Sequence, residues 1–252
     1  MTNSEPQEQF ERNALYAPTP DNRPVALDHS PLALTCECAS QMSFGERAAV
    51  EGVLAQLHPS LAVEIGTAEG GSLTRIAAHS REVHSIDVSY TELAARPGGN
   101  VQLHLGPSAQ ILPPLLAGFS AAGRTLDFAL VDGDHSFDGV AGDLRALLVS
   151  PCTLRSVILV HDTMNPEIRA GIEHVGLDSY EKVVYYELDF VPGYIYRSGS
   201  ARNAMWGGLS VILCDAHRSD AYSPSSRQWR YYEPFEAMQR WRAELSGGGG
   251  ER

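Results

Sequence analysis

The feature that most constrains this chain is a regular alternation of short apolar segments with helical stretches between residues 61 and 160. Strands that alternate with helices form βαβ units, and such units build a parallel sheet. We therefore predict an α/β protein with a doubly wound, mostly parallel sheet. The predicted strands are 61–65, 83–87, 101–105, 126–131 and 156–160, and the predicted helices are 72–79, 109–116 and 140–148.

Two further strands are predicted later in the chain, at 182–188 and 208–213. No clear helical pattern separates them, so we expect them to pair as an antiparallel hairpin with a long loop. The predicted sheet then has seven strands, and its last strand in sequence order runs antiparallel.

The main domain is predicted over residues 43–215, with a helix at its beginning. Ser43 and Glu46 have the spacing of a capping box, and the helix is expected to end before Pro59. Residues 1–42 are polar and contain several prolines, which indicates an N-terminal arm or lid.

Residues 216–252 are predicted to contain a helix followed by a flexible tail. The helix places several apolar residues on one side, and that side either packs on the chain's own core or forms a subunit interface. A homo-oligomer through this helix or the N-terminal arm is therefore an open expectation. The residues are Phe235, Met238, Trp241 and Leu245.

Composition restricts the partners and the compartment. The formal net charge is −12, and such a surface repels phosphate backbones, so we expect no nucleic-acid partner. No apolar run approaches the roughly 20 residues that cross a bilayer, and the N-terminus lacks the pattern of a signal peptide. We expect no membrane association and a cytoplasmic location. The cysteines are expected to be reduced thiols without a shared function, and they are Cys36, Cys38, Cys152 and Cys214.

A glycine-rich turn joins the first predicted strand to the helix that follows it. The segment from Glu64 to Ser72 has the form Gly-x-x-x-Gly-Gly after the strand. Glycines at such a turn let the backbone approach a ligand, and the helix that follows offers free N–H groups. The Gly-x-Gly-x-x-Gly pattern of nicotinamide-binding turns is absent, which argues against a dinucleotide.

This turn resembles the first motif of the class I methyltransferases, in which an acid and two glycines are spaced as acid-x-Gly-x-x-x-Gly. The resemblance covers about residues 43–213 and implies S-adenosylmethionine as the cofactor. In that family the acid that ends the second strand, here Asp87, accepts hydrogen bonds from the ribose hydroxyls. Many relatives carry Gly-Asp-Ala after the third strand, where the Asp contacts the adenine amine. This chain has Gly106-Pro107-Ser108 instead. The resemblance assigns Glu64, Gly66, Thr67, Gly70, Ser72, Asp87, Ser108 and Asp132 to the cofactor.

The predicted fourth and fifth strands both end in acids and imidazoles. Asp132, Asp134 and His135 follow the fourth strand, and His161 and Asp162 follow the fifth. Ligands of open α/β sheets bind at the carboxyl ends of the strands, so we expect these side chains to share one crevice. Sites that are rich in carboxylate oxygen suit Mg²⁺.

These two clusters resemble those of the metal-dependent O-methyltransferases, which include plant and catechol enzymes, sugar-modifying enzymes of antibiotic pathways and the cephalosporin hydroxylase-like group. The resemblance implies a divalent metal, Mg²⁺ first of all, on Asp132, His161 and Asp162. The family usually has Asp or Glu at the position of His161, and an imidazole there could favour Mn²⁺, Fe²⁺ or Zn²⁺. The relatives place a Lys or His three residues after the first acid, which implies that His135 is the catalytic base.

The segment 189–205 is rich in Tyr, Gly, Arg and Ser and is either an ordinary hairpin loop or a lid over the acceptor. Tyr194, Tyr196, Arg197 and Trp206 are the candidates to line a pocket for an aromatic or sugar acceptor. We predict an O-methyltransferase that acts on a hydroxyl of a small molecule, such as a sugar, a phenol or a secondary metabolite. The alternatives are a metal-dependent hydrolase or oxygenase, a metal-independent methyltransferase with His135 as base, and a binding protein that kept the fold.

Overall fold

A computed structural model describes residues 41–91, 99–217 and 234–247. Nine strands lie in these ranges: β1 (Ala62–Ile65), β2 (Val83–Asp87), β3 (Val101–Leu105), β4 (Phe128–Val131), β5 (Arg155–His161), β6 (Val183–Val191), β7 (Tyr194–Ile195), β8 (Met205–Trp206) and β9 (Leu209–Asp215). The α-helices of the same ranges are α1 (Phe44–Leu57), α2 (Gly71–His79), α3 (Ser108–Ala121), α4 (Phe137–Val149), α5 (Pro166–Val175) and α6 (Pro234–Gly247), with a 3₁₀ turn at Leu177–Ser179.

Seven of the strands form one sheet in the order β3-β2-β1-β4-β5-β9-β6. The first five strands in the sequence pair in parallel, whereas β9 runs antiparallel to both β5 and β6. This arrangement confirms the predicted seven-stranded, mostly parallel sheet with an antiparallel last strand. The strand order reverses between β1 and β4, and a crevice for ligands is expected at the carboxyl ends of those two strands.

Helices cover both faces of the sheet. On one face, α3, α4 and α5 pack a large apolar cluster against the strands, and α1 and α2 pack a second cluster on the other face. Because both faces are covered, every residue of β1 and β4 is buried. The fold therefore has three layers, and the carboxyl ends of the central strands are the part of the sheet that is left open to a ligand.

Helix α1 confirms the predicted capping box. The Ser43 hydroxyl accepts a hydrogen bond from the Glu46 N–H, and the Glu46 carboxylate accepts one from the Ser43 N–H. The helix ends at Leu57, and His58 takes a left-handed conformation immediately before Pro59.

Two helices differ from the predictions. Helix α3 was predicted to end at residue 116 but continues through Pro113 and Pro114 to Ala121. Both prolines are exposed, while Leu112, Leu116 and Phe119 are buried and hold the helix on the sheet.

Helix α5 was not predicted, although Ile168, Ile172 and Val175 recur at helical spacing and are buried. Its end signals were also present in the sequence. Asn165 accepts a hydrogen bond from the Glu167 N–H at 3.0 Å, Pro166 occupies the first turn, and Gly176 ends the helix with φ 67°.

The C-terminal helix α6 is confirmed, and its apolar side packs on the chain itself. Phe235 is buried with Met164, Ile195 and Met205, and the Arg169 guanidinium lies 4.6 Å from the centre of its ring. Trp241 stays half exposed, so a subunit interface remains a prediction for its part of the helix.

Some predictions fall outside the described residues. Residues 1–40 of the predicted N-terminal arm, which include Cys36 and Cys38, are among them. Cys152 and Cys214 are buried free thiols. Among the described helices, none has the length and apolar character needed to span a bilayer.

Candidate active site

The turn after β1 brings the backbones of β1 and β4 into close contact. Gly66 has φ 85°, and a Cβ at this position would lie 1.9 Å from the carbonyl oxygen of Asp132. Glycine is therefore required here for two reasons, the left-handed conformation and the lack of space. The contact fixes the cofactor turn of the first strand beside the acid that ends the fourth.

We predict that Gly66→Ala destabilises the fold by more than about 2 kcal/mol, because the methyl group collides with backbone that has no room to move. Urea unfolding measures the change. Gly52→Ala is the matched control. Gly52 is exposed in α1 with no atom within 4 Å of its added Cβ, so the control should gain about 0.4–1 kcal/mol. Two variants of equal stability would contradict the assigned role of Gly66.

Glu64 stabilises the glycine-rich turn through hydrogen bonds on its buried side. Its carboxyl is fully buried and accepts hydrogen bonds from the hydroxyls of Thr67 at 3.0 Å and Ser72 at 2.6 Å. Burial raises the pKa of Glu64 to about 8, although these hydroxyls lower it in part. The assignment of Glu64 and Gly70 to the cofactor stays a prediction. Neither residue is among those that line the cavity, and Gly70, with φ 86°, is the N-cap of α2.

Asp87 is oriented by the same turn. One carboxylate oxygen, Oδ2, accepts hydrogen bonds from the N–H groups of Thr67 at 2.7 Å and Ala68 at 3.1 Å. The other oxygen, Oδ1, accepts one from the N–H of Ser89 at 3.0 Å. The carboxylate is thus fixed at the end of β2, on the wall of the cavity.

A cavity of about 980 Å³ opens at the carboxyl ends of the central strands. This volume suits a cofactor together with a small substrate. Backbone and side chains that follow β1, β2, β3, β4 and β5 all contribute to its wall, as the switch point of the sheet requires. The predicted site residues that line it are Gly66, Thr67, Ser72, Asp87, Ser108, Asp132, His135, His161 and Asp162.

Three of these residues form a cluster that can hold a cation. Asp132, His161 and Asp162 each offer one ligand atom, and these atoms lie within 4.8 Å of one another. The Nδ1 atom of His161 is 2.9 Å from Asp132 Oδ1 and 3.6 Å from Asp162 Oδ2. Two carboxylates and one imidazole nitrogen fit a divalent ion of the hard to borderline type.

Asp162 has a conformation that costs free energy. Its φ is 56°, which a residue with a side chain rarely adopts. The Oδ1 atom accepts a hydrogen bond from the Gly207 N–H at 2.7 Å, which leaves Oδ2 directed at the two histidines. Strained residues of this kind concentrate at functional sites.

His135 faces the same two acids from the loop after β4. Its Nε2 atom lies 3.4 Å from Asp132 Oδ1 and 3.3 Å from Asp162 Oδ2. The hydrogen bond to Asp132 raises the pKa of His135, against the effect of partial burial. The ring of Trp206 packs against the imidazole at 5.5 Å, close to perpendicular. His135 is therefore a positioned and partly exposed imidazole beside the cluster.

Glu46 is a site residue that the sequence analysis assigned only to a helix cap. Its carboxylate is completely buried, and Oε1 lies 3.4 Å from His161 Nε2. The same oxygen accepts a hydrogen bond from the Gly208 N–H. Burial opposes ionisation of this carboxyl, but its contacts with His161 and Ser43 together outweigh that effect and lower the pKa to about 2. Carboxylates that face the second nitrogen of a histidine orient the ring, so Glu46 directs Nδ1 toward the two acids.

The short strands β7 and β8 build the side of the cavity where the sequence predicts an acceptor. The predicted long loop contains this short antiparallel pair, and Tyr194, Tyr196 and Trp206 line the cavity as expected. Arg197 does not. Its guanidinium lies 5.2 Å from the ring centre of Trp241 in α6.

Residues 63–163 match the family model described as a methyltransferase domain. The chain therefore contains a methyltransferase domain. The matched segment runs from β1 to the residue after Asp162, so it includes the glycine turn, Asp87 and both acid clusters.

Named relatives agree with this assignment. A rhamnosyl O-methyltransferase of Mycobacterium leprae (strain TN) is 27% identical over 163 residues, which cover 62% of this chain and 69% of the relative. Two solved structures show the same fold. TomG from Streptomyces achromogenes, an O-methyltransferase involved in tomaymycin synthesis, has a TM-score of 0.54 at 16% identity and covers 85% of this chain and 100% of its own. Cofactor-bound Rv0187 from MTB has a TM-score of 0.52 at 16% identity, with coverage of 85% and 98%.

Proposed function

We propose that this methyltransferase acts on a hydroxyl oxygen of a small molecule, with a divalent cation held by Asp132, His161 and Asp162. The observation that carries the proposal is the convergence of these ligand atoms within 4.8 Å on the wall of the cofactor cavity, with His135 beside them. The name of the Mycobacterium leprae relative, an O-methyltransferase of a rhamnosyl group, supports oxygen as the accepting atom.

The residues of the chain divide the work. Asp87, fixed by the Thr67 N–H, would bind the ribose of the cofactor. The turn around Gly66, which lies against the Asp132 backbone, would hold the reactive end of the cofactor near Asp132. A bound cation lowers the pKa of a coordinated hydroxyl. With Asp132 and Asp162 engaged by the cation, the Nε2 atom of His135 would be released from these acids and, unprotonated, would take the hydroxyl proton. The acceptor oxygen would then form its bond to the methyl carbon as the bond between that carbon and the cofactor's sulfur breaks. Alignment of the oxygen with the methyl carbon supplies much of the rate.

The acceptor wall favours a compact ring. Tyr194, Tyr196 and Trp206 present aromatic surface on the side of the cavity that also contains His135 and Asp162. Aromatic side chains pack well against the faces of sugars and phenols while their polar atoms bind hydroxyls. A sugar, a phenol or another hydroxylated metabolite fits this wall.

Transfer of labelled methyl from S-adenosylmethionine to a panel of sugars and phenols tests the proposal. We expect an O-methylated product whose formation falls at least tenfold with a chelator and recovers with Mg²⁺ or Mn²⁺. Asp162→Asn should weaken Mn²⁺ binding, followed by electron paramagnetic resonance, and spare S-adenosylhomocysteine binding. Full turnover in the presence of chelator would indicate a metal-independent methyltransferase in which His135 is the base. If the panel compounds are hydrolysed or oxidised without methyl transfer, Asp132 and Asp162 belong to a metal-dependent hydrolase or oxygenase instead.

A further inference from the structure

A second buried acid, Asp143, lies on the cavity wall away from the metal cluster. It is in the middle of α4 and is 3% exposed. Its Oδ2 atom makes no hydrogen bond within the described part of the chain, although the residue lines the cavity. A buried carboxylate oxygen without a donor is costly, so a donor from a ligand would remove a real penalty.

Gly142, the residue before Asp143, leaves the helix backbone uncovered on the cavity wall at the same place. Glycine is among the least favourable residues inside a helix. A Cβ at Gly142 would meet no atom within 4 Å, so no packing contact explains this glycine. Gly139, one turn earlier, differs because a Cβ there would lie 2.5 Å from Asp134. Gly142 also lines the cavity, and a flat group can therefore rest against the bare helix backbone beside Asp143.

The position of Asp143 in the fold indicates which end of the cofactor it meets. The hydroxyl of Ser108, the first residue of α3, contacts the Asp143 carboxyl. Ser108 follows β3, the outer strand of the sheet, whereas Asp132 and His161 lie at β4 and β5. The reactive methyl group must lie near His135, so the Ser108 side of the cavity receives the opposite end of the cofactor, which is the base. Val88, 70% exposed and next to Asp87, gives that side an apolar surface.

We propose that Asp143 accepts a hydrogen bond from the exocyclic amino group of the cofactor's adenine, with the ring against Gly142. This inference rests on the assignment of S-adenosylmethionine as cofactor. The loop after β3 carries Gly106-Pro107-Ser108 and therefore offers no carboxylate for that amine. Asp143 supplies the acceptor from a different helix and selects an amino-purine over an oxo-purine.

Calorimetry with two ligands tests this assignment. The first is S-adenosylhomocysteine, and the second is S-inosylhomocysteine, in which a carbonyl oxygen replaces the amine. The wild-type protein should prefer the first by about ten- to a hundredfold, because the second places oxygen against a carboxylate. Asp143→Asn should bind S-adenosylhomocysteine more weakly by a similar factor and lose or reverse the preference, since its amide can donate to the carbonyl. Asp138→Asn, on the same helix and cavity wall, is the control and should keep the wild-type preference.

A second variant separates ligand contact from a role in folding. Gly142→Ala should raise the melting temperature, because alanine favours the helix and meets open space, yet weaken binding of both ligands. Equal losses for the two ligands in Asp143→Asn would overturn the inference and leave Asp143 as a support for the first turn of α3. Unchanged affinity in either variant would also overturn it. If the wild-type protein binds neither ligand, the cofactor assignment itself fails.

Discussion

Replacement of His135 by alanine is expected to lower kcat by about 10²–10⁴-fold, the range that a positioned base contributes. The imidazole lies 3.3 Å from Asp162 and 3.4 Å from Asp132, close enough to reach a hydroxyl held by these acids. His135 is not one of the three residues whose ligand atoms form the candidate metal cluster. The affinities for cofactor and metal should therefore stay nearly unchanged in the variant. A fall in metal affinity together with the rate would make His135 a ligand.

The pH profile gives the same prediction a second measurement. A base acts in its unprotonated form, so the rate should rise with pH through the pKa of His135. Its hydrogen bond to Asp132 raises that pKa in the metal-free protein. A cation held by Asp132 and Asp162 would oppose this effect, so the limb should move toward lower pH as the metal binds. The limb should be missing in His135→Ala. His174→Ala removes an exposed histidine that packs on Phe137 and should keep the wild-type profile. An active His135→Ala enzyme with an unchanged profile would assign the proton to another group.

Glu64→Gln is expected to remove a large pH dependence of the free energy of unfolding. The folded pKa of Glu64 is about 8, against 4.5 for the free side chain. Since the folded state holds this proton more tightly than the unfolded state, stability is highest below pH 4.5 and decreases as pH rises to 8. The loss amounts to a few kcal/mol, from roughly 1.4 kcal/mol for each pH unit. Glutamine stays neutral and resembles the protonated acid.

Urea unfolding of both proteins at pH 5 and pH 9 measures this effect, because the difference between them cancels the other titrating groups. The variant should match the wild type near pH 5 and exceed it at pH 9. Glu51→Gln is a control of opposite sign, since Arg75 and His79 lower the pKa of Glu51 against the effect of burial. That control should be less stable than the wild type at neutral pH. Parallel pH curves for Glu64→Gln and the wild type would show that Glu64 is ionised in the fold.

The sequence predicted the sheet well because its signals are local. The bounds of β2 and β3 agree with the predicted segments, and the Ser43 capping box marks the start of α1. The clusters after β4 and β5 were placed together by one topological rule, that parallel strands end at the same edge.

Other features depend on contacts that no spacing reveals. The pairing of Glu46 with His161 joins positions far apart in the chain, and its capping role offered a sufficient local explanation. Glu64 has the sequence position of a cofactor contact, but its carboxyl turns inward to Thr67 and Ser72. The free oxygen of Asp143 depends on how α3 and α4 pack, and the sequence showed only one more acid on a helix.

Because β9 lies between β5 and β6, the sheet cannot be completed during translation until β9 has been synthesised. β6 forms its sheet hydrogen bonds with β9, and β9 alone joins it to β5. Until residues 209–215 leave the ribosome, β5 is an unprotected edge and β6 has no neighbour. The backbone donors of Gly207 and Gly208 reach Asp162 and Glu46 at the same moment. A nascent chain that stalls before this point exposes a bare apolar strand, which makes it a substrate for chaperones and a seed for aggregation.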